Sequence, residues 1–455
     1  MEWQHGDQGE LEIDEFPAPH RSMRVAIVTE TYPPEVNGVS MTLARLVEGL
    51  RMRHHDVQLV RPRQSGGDAG QCEERFHEVL MRGLPIPRYG HLRMGVPSKR
   101  SLVRLWALRR PDVVHIATEG PLGWSALQAC RHLQLPVTSD FRTNFHAYSR
   151  HYGVGWLRKP IMAYLRKFHN ATLRTMVPTE ALRRDLAACG FRGLRVVARG
   201  VDTEHFHPLR RDRALRASWG ADDGTLVVVC VGRLAPEKNL DLVVRAFDAV
   251  SRVVPDSRLV LVGDGPMREA LRARCPQAVL AGQRSGADLA AHYASADLFV
   301  FASMTETFGN VVTEAMASGL PVLAFEHAAA AQLIRHGQDG LLAALGDEAA
   351  FLGEAVRAVG DRSRLARIGA AARDSAGALG WAGVVERFED ELRAVVRAAK
   401  PSEGVLPTGS ASAPPEQRDR DWPLPAASSR ARCPPETCAA PRAAAPSDRR
   451  RQRRR

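Results

Sequence analysis

Short apolar, β-branched runs recur along the chain, each followed by a polar loop and then a stretch with helical spacing. Residues 23–28 (Met-Arg-Val-Ala-Ile-Val) run into Thr29-Glu30 and a loop holding Pro33, Pro34 and Gly38. Residues 40–51 then place Met41, Leu43, Ala44, Leu46, Val47 and Leu50 on one helical face. The pattern predicts strand, loop, helix. Further runs of buried type lie at 56–61, 112–117, 135–139, 174–178 and 194–198. A second series follows at 225–231, 258–262, 278–281, 297–302 and 320–325, with predicted helices over 239–252, 266–274, 286–295, 310–318 and 347–359. Continuous apolar strands alternating with amphipathic helices belong to sheets buried on both faces, so the predicted class is α/β with parallel sheets. The two series predict two such units, residues 23–199 and 200–380. The boundary falls near 199–210, where Gly200, Pro208 and charged residues cluster. Trp381, Val384, Val385, Phe388, Leu392, Val395 and Val396 predict a last amphipathic helix over 381–399.

Composition sharpens this picture. A chain of 455 residues is long for one core and favours two domains. No apolar run is long enough for a membrane-spanning helix. Residues 1–22 are polar and acidic, lack the apolar segment of a secretory signal, and are expected to be flexible. The seven cysteines form no C-x-x-C pair, which predicts reduced thiols in a cytoplasmic protein, with Cys230 in the core. Half of the net charge of +12 sits in residues 400–455, a Pro-, Ala-, Ser- and Arg-rich tail expected to be disordered. The remaining excess is spread thinly. It suits anionic donors or lipid headgroups and gives no specific nucleic-acid surface. Residues 156–169 mix aromatic, aliphatic and basic side chains. Such a helix either packs on its own core or lies on an anionic bilayer, which leaves peripheral attachment to the inner membrane face and a lipid acceptor open.

The strongest chemical signal is residues 306–314, Glu-Thr-Phe-Gly-Asn-Val-Val-Thr-Glu. Gly309-Asn310 predicts a helix start and Gly319 its end. Glu306 then lies on the loop before the helix and Glu314 inside it. The backbone N–H groups of Phe308, Gly309, Asn310 and Val311 are placed to receive a phosphate or sugar oxygen. Carboxylates accept from adjacent sugar hydroxyls. Arg233 and Lys238 lie in Val-Gly-Arg-Leu-Ala-Pro-Glu-Lys-Asn (231–239), just past a strand, at the sheet edge where such folds bind ligands. Two fixed cations there stabilise a departing diphosphate. Gly38 lets backbone approach a ligand closely, without the spacing of a dinucleotide fingerprint. Gly263-Asp264-Gly265-Pro266 is a further strand-end loop, placing Asp264 near the nucleotide or simply making a turn.

These residues bring in a family. From about residue 23 to 399 the chain resembles glycosyltransferase family 4, the retaining enzymes of GT-B fold. It is most similar to the GDP-mannose-dependent α-mannosyltransferases and related glycolipid synthases. The resemblance is carried by residues 29–39, 115–123, 200–208, 232–239 and 263–266 and by Glu306 and Glu314. It implies two Rossmann-like domains facing across a cleft, an N-terminal acceptor domain, a C-terminal nucleotide-sugar domain, and helix 381–399 crossing back to the N-terminal domain. It further implies that Glu314 holds the ribose hydroxyls, Glu306 the donor sugar, Arg233 and Lys238 the diphosphate, and that Gly38 admits the phosphates. In Asp140-Phe141-Arg142-Thr143-Asn144-Phe145-His146, Arg142 occupies the position where the family usually has histidine, and His146 lies four residues on. An arginine there stabilises leaving-group charge but is no neutral acceptor. The activity so implied is retaining transfer of a hexose, mannose from GDP-mannose first and a UDP-hexose second, to a lipid or glycan hydroxyl. No cofactor or essential metal is implied. The alternative is a non-catalytic sugar-nucleotide-binding protein of the same fold.

Overall fold

The computed structural model describes residues 22–35, 37–86, 89–142 and 158–399. The N-terminal segment up to residue 21, the tail 400–455 and His146 lie outside them. Two sheets dominate. The N-terminal sheet has eight strands in the order Leu194–Val196, Arg174–Val177, Val137–Asp140, Val113–Ile116, Arg24–Val28, Asp56–Pro62, Phe76–Met81, Cys72–Glu73. Every neighbouring pair is parallel except Cys72–Glu73 with Phe76–Met81. The C-terminal sheet has six, all parallel: Val279–Gly282, Arg258–Val262, Val227–Val231, Leu298–Phe301, Val322–Phe325, Leu341–Ala343.

Both sheets are wound the same way. The first strand lies inside the sheet, and the chain builds outwards on one side before returning to build on the other. Where the direction reverses, the loops beyond the carboxyl ends diverge and leave a crevice. In the N-terminal lobe the reversal falls between Arg24–Val28 and Val113–Ile116; in the C-terminal lobe it falls between Val227–Val231 and Leu298–Phe301.

Alternation along each strand feeds two cores. Val25 and Ile27 pack with Leu43, Leu46 and Leu50 of helix Gly38–Met52, while Ala26 and Val28 pack on the opposite face with Leu102, Trp106 and Leu122. In the C-terminal lobe Val228 and Cys230 face one core, and Val227, Val229 and Val231 the other. Each large side chain so buried contributes roughly 1.5–3 kcal/mol.

Helix Trp381–Ala399 belongs by sequence to the end of the C-terminal lobe but is packed in the N-terminal core. Val385, Phe388, Leu392 and Val395 join Leu43, Leu46 and Leu50 there. Glu389, only 3% exposed, accepts from Arg53 and Arg393 and faces His55 at 3.0 Å. Beside it Val201 N–H donates to the Leu379 carbonyl at 2.9 Å, so the two chain crossings between lobes run together.

The sequence reading missed several elements. Phe76–Met81 is interrupted by His77 and Glu78, and Glu78 is buried because it pairs with Arg61 at 2.9 Å. Leu341–Ala343 is too short to stand out, and the ribbon Gly83–Ile86 with Tyr89–Gly95 is interrupted by Gly and Pro. Helix Arg362–Gly377 carries its buried residues as scattered Leu, Ile, Gly and Ala.

Gly49 marks how closely the crossing helix sits. A Cβ on Gly49 falls 2.4 Å from Val385 Cγ2. In an open helix Gly→Ala would stabilise by about 0.5–1 kcal/mol. Here Gly49→Ala is expected to destabilise instead, by about 1–3 kcal/mol, with part of the loss recovered in the Gly49→Ala/Val385→Ala double variant. Denaturant midpoints check this; a stabilised Gly49→Ala would show that the helix is not seated on that face.

Candidate active site

Two helices begin at the two crevices. Helix Gly38–Met52 follows the first strand, and its cap is Asn37, whose Oδ1 accepts from Val39 N–H and Ser40 N–H at 3.1 and 2.9 Å. Asn37 Nδ2 donates to the Thr31 hydroxyl at 2.7 Å, which fixes the loop. Helix Asn310–Ala317 follows strand Leu298–Phe301. Its cap residue is Gly309, at φ +95°, and no side chain caps it. The two starts meet across the cleft: a Cβ on Gly38 would lie 3.7 Å from Asn310 Nδ2. Both present the positive end of a helix, one of them without a capping side chain, which favours an anion between them.

Lys238 and Glu306 come from the loops on either side of the C-terminal reversal. They form an ion pair, and Glu306 also accepts from the Ser303 hydroxyl at 2.8 Å. Burial alone would raise the Glu306 pKa, but the Lys238 ammonium and the Ser303 hydroxyl outweigh it and hold the carboxyl below its ordinary range. Glu314, one helical turn past Asn310, has a different environment. Burial pushes its carboxyl up to about 7, against a single hydrogen bond from the Tyr293 hydroxyl at 2.9 Å.

Arg233 is exposed and pairs with buried Glu237. Asp264 is also exposed. Its carboxylate accepts from Gly265 N–H at 2.7 Å, and its backbone carbonyl accepts from Leu234 N–H at 2.8 Å. A Cβ on Gly265 would fall 2.5 Å from the Leu234 carbonyl oxygen. The two loops clasp one another, and Asp264 acts in that turn.

On the N-terminal side Arg142 follows strand Val137–Asp140. Its guanidinium pairs with Asp140, whose carboxyl is held at about 2 despite burial, chiefly by Arg142 and His115. Thr307, next to Glu306, donates its hydroxyl to the Arg142 carbonyl across the cleft at 3.1 Å.

A cavity of about 520 Å³ joins these parts. Of the residues singled out in the sequence, Gly38, Arg142, Lys238, Glu306, Phe308, Gly309, Asn310 and Val311 line it; Arg233, Asp264 and Glu314 are not among its walls. Arg93, Arg199, Glu30 and Asn37 also line it and were not singled out. Asn37 carried a readable signal, a capping residue before a predicted helix. Glu30 ended the first apolar run; its carboxylate accepts from Gly95 N–H at 2.5 Å and Leu122 N–H at 2.9 Å. Arg199 and Arg93 carried none.

Comparison with known proteins agrees with this geometry. Residues 36–205 match the family model described as Glycosyltransferase Family 4, and residues 225–361 that described as Glycosyl transferases group 1. A GDP-mannose-dependent alpha-mannosyltransferase of Mycobacterium tuberculosis is 37% identical over 378 residues, covering 82% of this chain and 97% of that protein. A GDP-mannose-dependent alpha-(1-6)-phosphatidylinositol monomannoside mannosyltransferase of the same organism is 30% identical over 372 residues, covering 77% and 93%. Among solved structures, Anabaena Alr3699/HepE in complex with UDP and glucose has the same fold, with a TM-score of 0.65 at 19% identity, covering 82% of this chain and 100% of that one. Two like-wound lobes, a cleft between opposed helix starts and these matches together place the chain in glycosyltransferase family 4, as a glycosyltransferase of GT-B fold.

Proposed function

We propose that the protein transfers a hexose with retention from a sugar nucleotide, GDP-mannose, to a hydroxyl of a lipid or glycan acceptor. The observation that carries this is the Lys238–Glu306 pair at the C-terminal crevice, facing the opposed helix starts. A cation and an uncapped helix start suit a diphosphate; a carboxylate kept ionised beside them suits sugar hydroxyls. In this reading the C-terminal lobe binds the donor, with Lys238, Arg233 and the N–H groups at 308–311 on the diphosphate, Glu306 on the sugar and Glu314 on the ribose. Gly38 lets the N-terminal helix start approach the phosphates. The N-terminal lobe presents the acceptor.

The bond between the sugar's anomeric carbon and the β-phosphate oxygen breaks. The acceptor oxygen bonds to that carbon on the same face, and its proton passes to the departing phosphate oxygen. Lys238 and the helix start stabilise the charge that develops there. The names of the two mycobacterial relatives support guanosine as the base and a glycolipid as acceptor. Work at a membrane surface fits that acceptor, and among the described residues no helix is long and apolar enough to cross a membrane.

Glu306→Gln is expected to lower turnover of GDP-mannose by about a hundredfold or more, compared at a temperature where the variant is folded, because removing one charge of the part-buried Lys238–Glu306 pair also lowers the melting temperature. Turnover equal to wild type would remove Glu306 from the reaction. GDP at about a hundred times its Kd should raise stability by about 2.7 kcal/mol, seen as a melting shift that UDP does not match. A larger shift with UDP would transfer the donor to the UDP-hexose class.

Glu314 predicts a pH dependence of stability. Its folded pKa, about 7, lies above the ordinary 4.5. A raised acid contributes stability fully below about pH 4.5 and loses it as pH rises through 7, on the order of 3 kcal/mol. Glu314→Gln should therefore flatten the fall in unfolding free energy between those two pH values. An unchanged slope would show that Glu314 is not the titrating group.

A further inference from the structure

The N-terminal wall of the cleft holds a buried charge imbalance. Arg142 and Arg199 are 5% and 7% exposed. Asp140 is the carboxylate that faces both, and it pairs with Arg142. Arg199 donates to the Thr42 hydroxyl at 3.0 Å, which carries no charge. His115 Nε2, 3.5 Å from Asp140, is fully buried, and that burial lowers its pKa and favours the neutral ring. Residues 143–157, which follow Arg142, contain no Asp or Glu. Of the cavity's own carboxylates, Glu306 pairs with Lys238, Glu30 accepts from the Gly95 and Leu122 N–H groups, and Glu35 accepts from the Thr31 hydroxyl through one oxygen while its Oε1 is buried without a hydrogen-bond partner; among the described residues none of the three forms an ion pair with Arg142 or Arg199. Two guanidiniums therefore share one carboxylate out of water. Burial and the Arg142 charge pull the Arg199 pKa down to about 9.

An uncompensated buried charge is costly and marks a place where an opposite charge is to arrive. Both arginines line the cavity that Lys238 and Asn310 line from the other lobe. Arg142 Nε is buried without a hydrogen-bond partner among the described residues. The Thr307 hydroxyl ties the Arg142 carbonyl to the loop that leads into the helix start at Asn310.

We propose that Arg142 and Arg199 form a second anion subsite, supplied by the N-terminal lobe, which takes the β-phosphoryl group of the nucleoside diphosphate, with Asp140 as the positioning residue that holds Arg142. The proposal rests on the sugar-nucleotide reading above. An acceptor anion would meet the same chemistry, but the Thr307 link and the shared cavity with Lys238 favour the diphosphate. The leaving group then meets cations from both lobes. Arginine suits this role because its planar donors match phosphate oxygens and it keeps its charge at neutral pH.

Calorimetric titration of the full chain with GDP, UDP and their monophosphates tests this. Arg199→Gln is the cleaner variant, since its partner Thr42 is neutral. It should weaken the diphosphate that binds wild type by about ten- to a hundredfold and change the monophosphate little, with an unaltered melting temperature. Arg142→Gln strands Asp140, so it is paired with Asp140→Asn and should show the same selective loss. Asp140→Asn alone should lower kcat more than it raises the donor KM. A folded Arg199→Gln protein with an unchanged diphosphate-to-monophosphate ratio overturns the subsite. A rise confined to acceptor KM assigns the anion to the acceptor and also overturns it. If wild type binds no diphosphate, or Lys238→Ala does not weaken it, the sugar-nucleotide reading itself fails, whatever the arginines do.

Discussion

The Lys238–Glu306 ion pair is the interaction on which the site depends. Its partners sit on loops that leave neighbouring strands, Val227–Val231 and Leu298–Phe301, and diverge there because the winding reverses between them. Held apart, each of these part-buried charges would lose the other's field, at a cost of several kcal/mol per ion. With it, the loop after Leu298–Phe301 is held so that Ser303 and Glu306 meet and the chain runs directly into the helix at Asn310. The cation, the carboxylate and the helix start are thus in place before any ligand arrives, and no binding energy goes into assembling them.

The cleft itself follows from using the same winding twice. Each sheet opens a crevice at its own reversal, and two such crevices make one cavity only if the lobes face each other. Helix Trp381–Ala399 fixes that arrangement from within, because it ends the C-terminal lobe yet completes the N-terminal core. Its seat combines apolar packing with a buried carboxylate, Glu389, that three basic groups converge on. A helix held this way cannot slide by a turn without exposing Phe388 and Leu392 and stranding Glu389 at once.

Much of the fold was legible because both sheets are parallel in all but one edge pairing and covered on both faces. Their inner strands are uninterrupted apolar runs, such as Val227–Val231, and need no partner to be recognised. Edge elements were harder: Phe76–Met81 is strand by virtue of Arg61, which lies elsewhere in sequence and neutralises Glu78. The site divides the same way. Glu306, Lys238, Gly38 and the helix start at Asn310 are encoded locally, each at a strand end or a cap. Arg199 is one arginine among many, and only the fold brings it beside Asp140 and Arg142. Asp264 shows the opposite case. Its loop has the look of a ligand turn, and its exposed carboxylate accepts from the N–H of the next residue, outside the walls of the cavity. His146 lies outside the described residues, so of the two candidates in that segment Arg142 is the one the structure describes.

Glu306 and Glu314 lie close in sequence and yet have their carboxyls shifted in opposite directions. Burial acts on both in the same direction. For Glu306 an ammonium and a hydroxyl more than offset it; for Glu314 one phenolic hydroxyl does not. A ribose diol would present two O–H donors, and an ionised carboxylate has an acceptor for each. Diol binding would thus return to Glu314 the hydrogen bonds that burial withdrew, and would draw it towards the charged form. The same loop and helix would then hold one carboxylate that is ready before the donor binds and another that becomes ionised because the donor has bound. Environment alone separates the two.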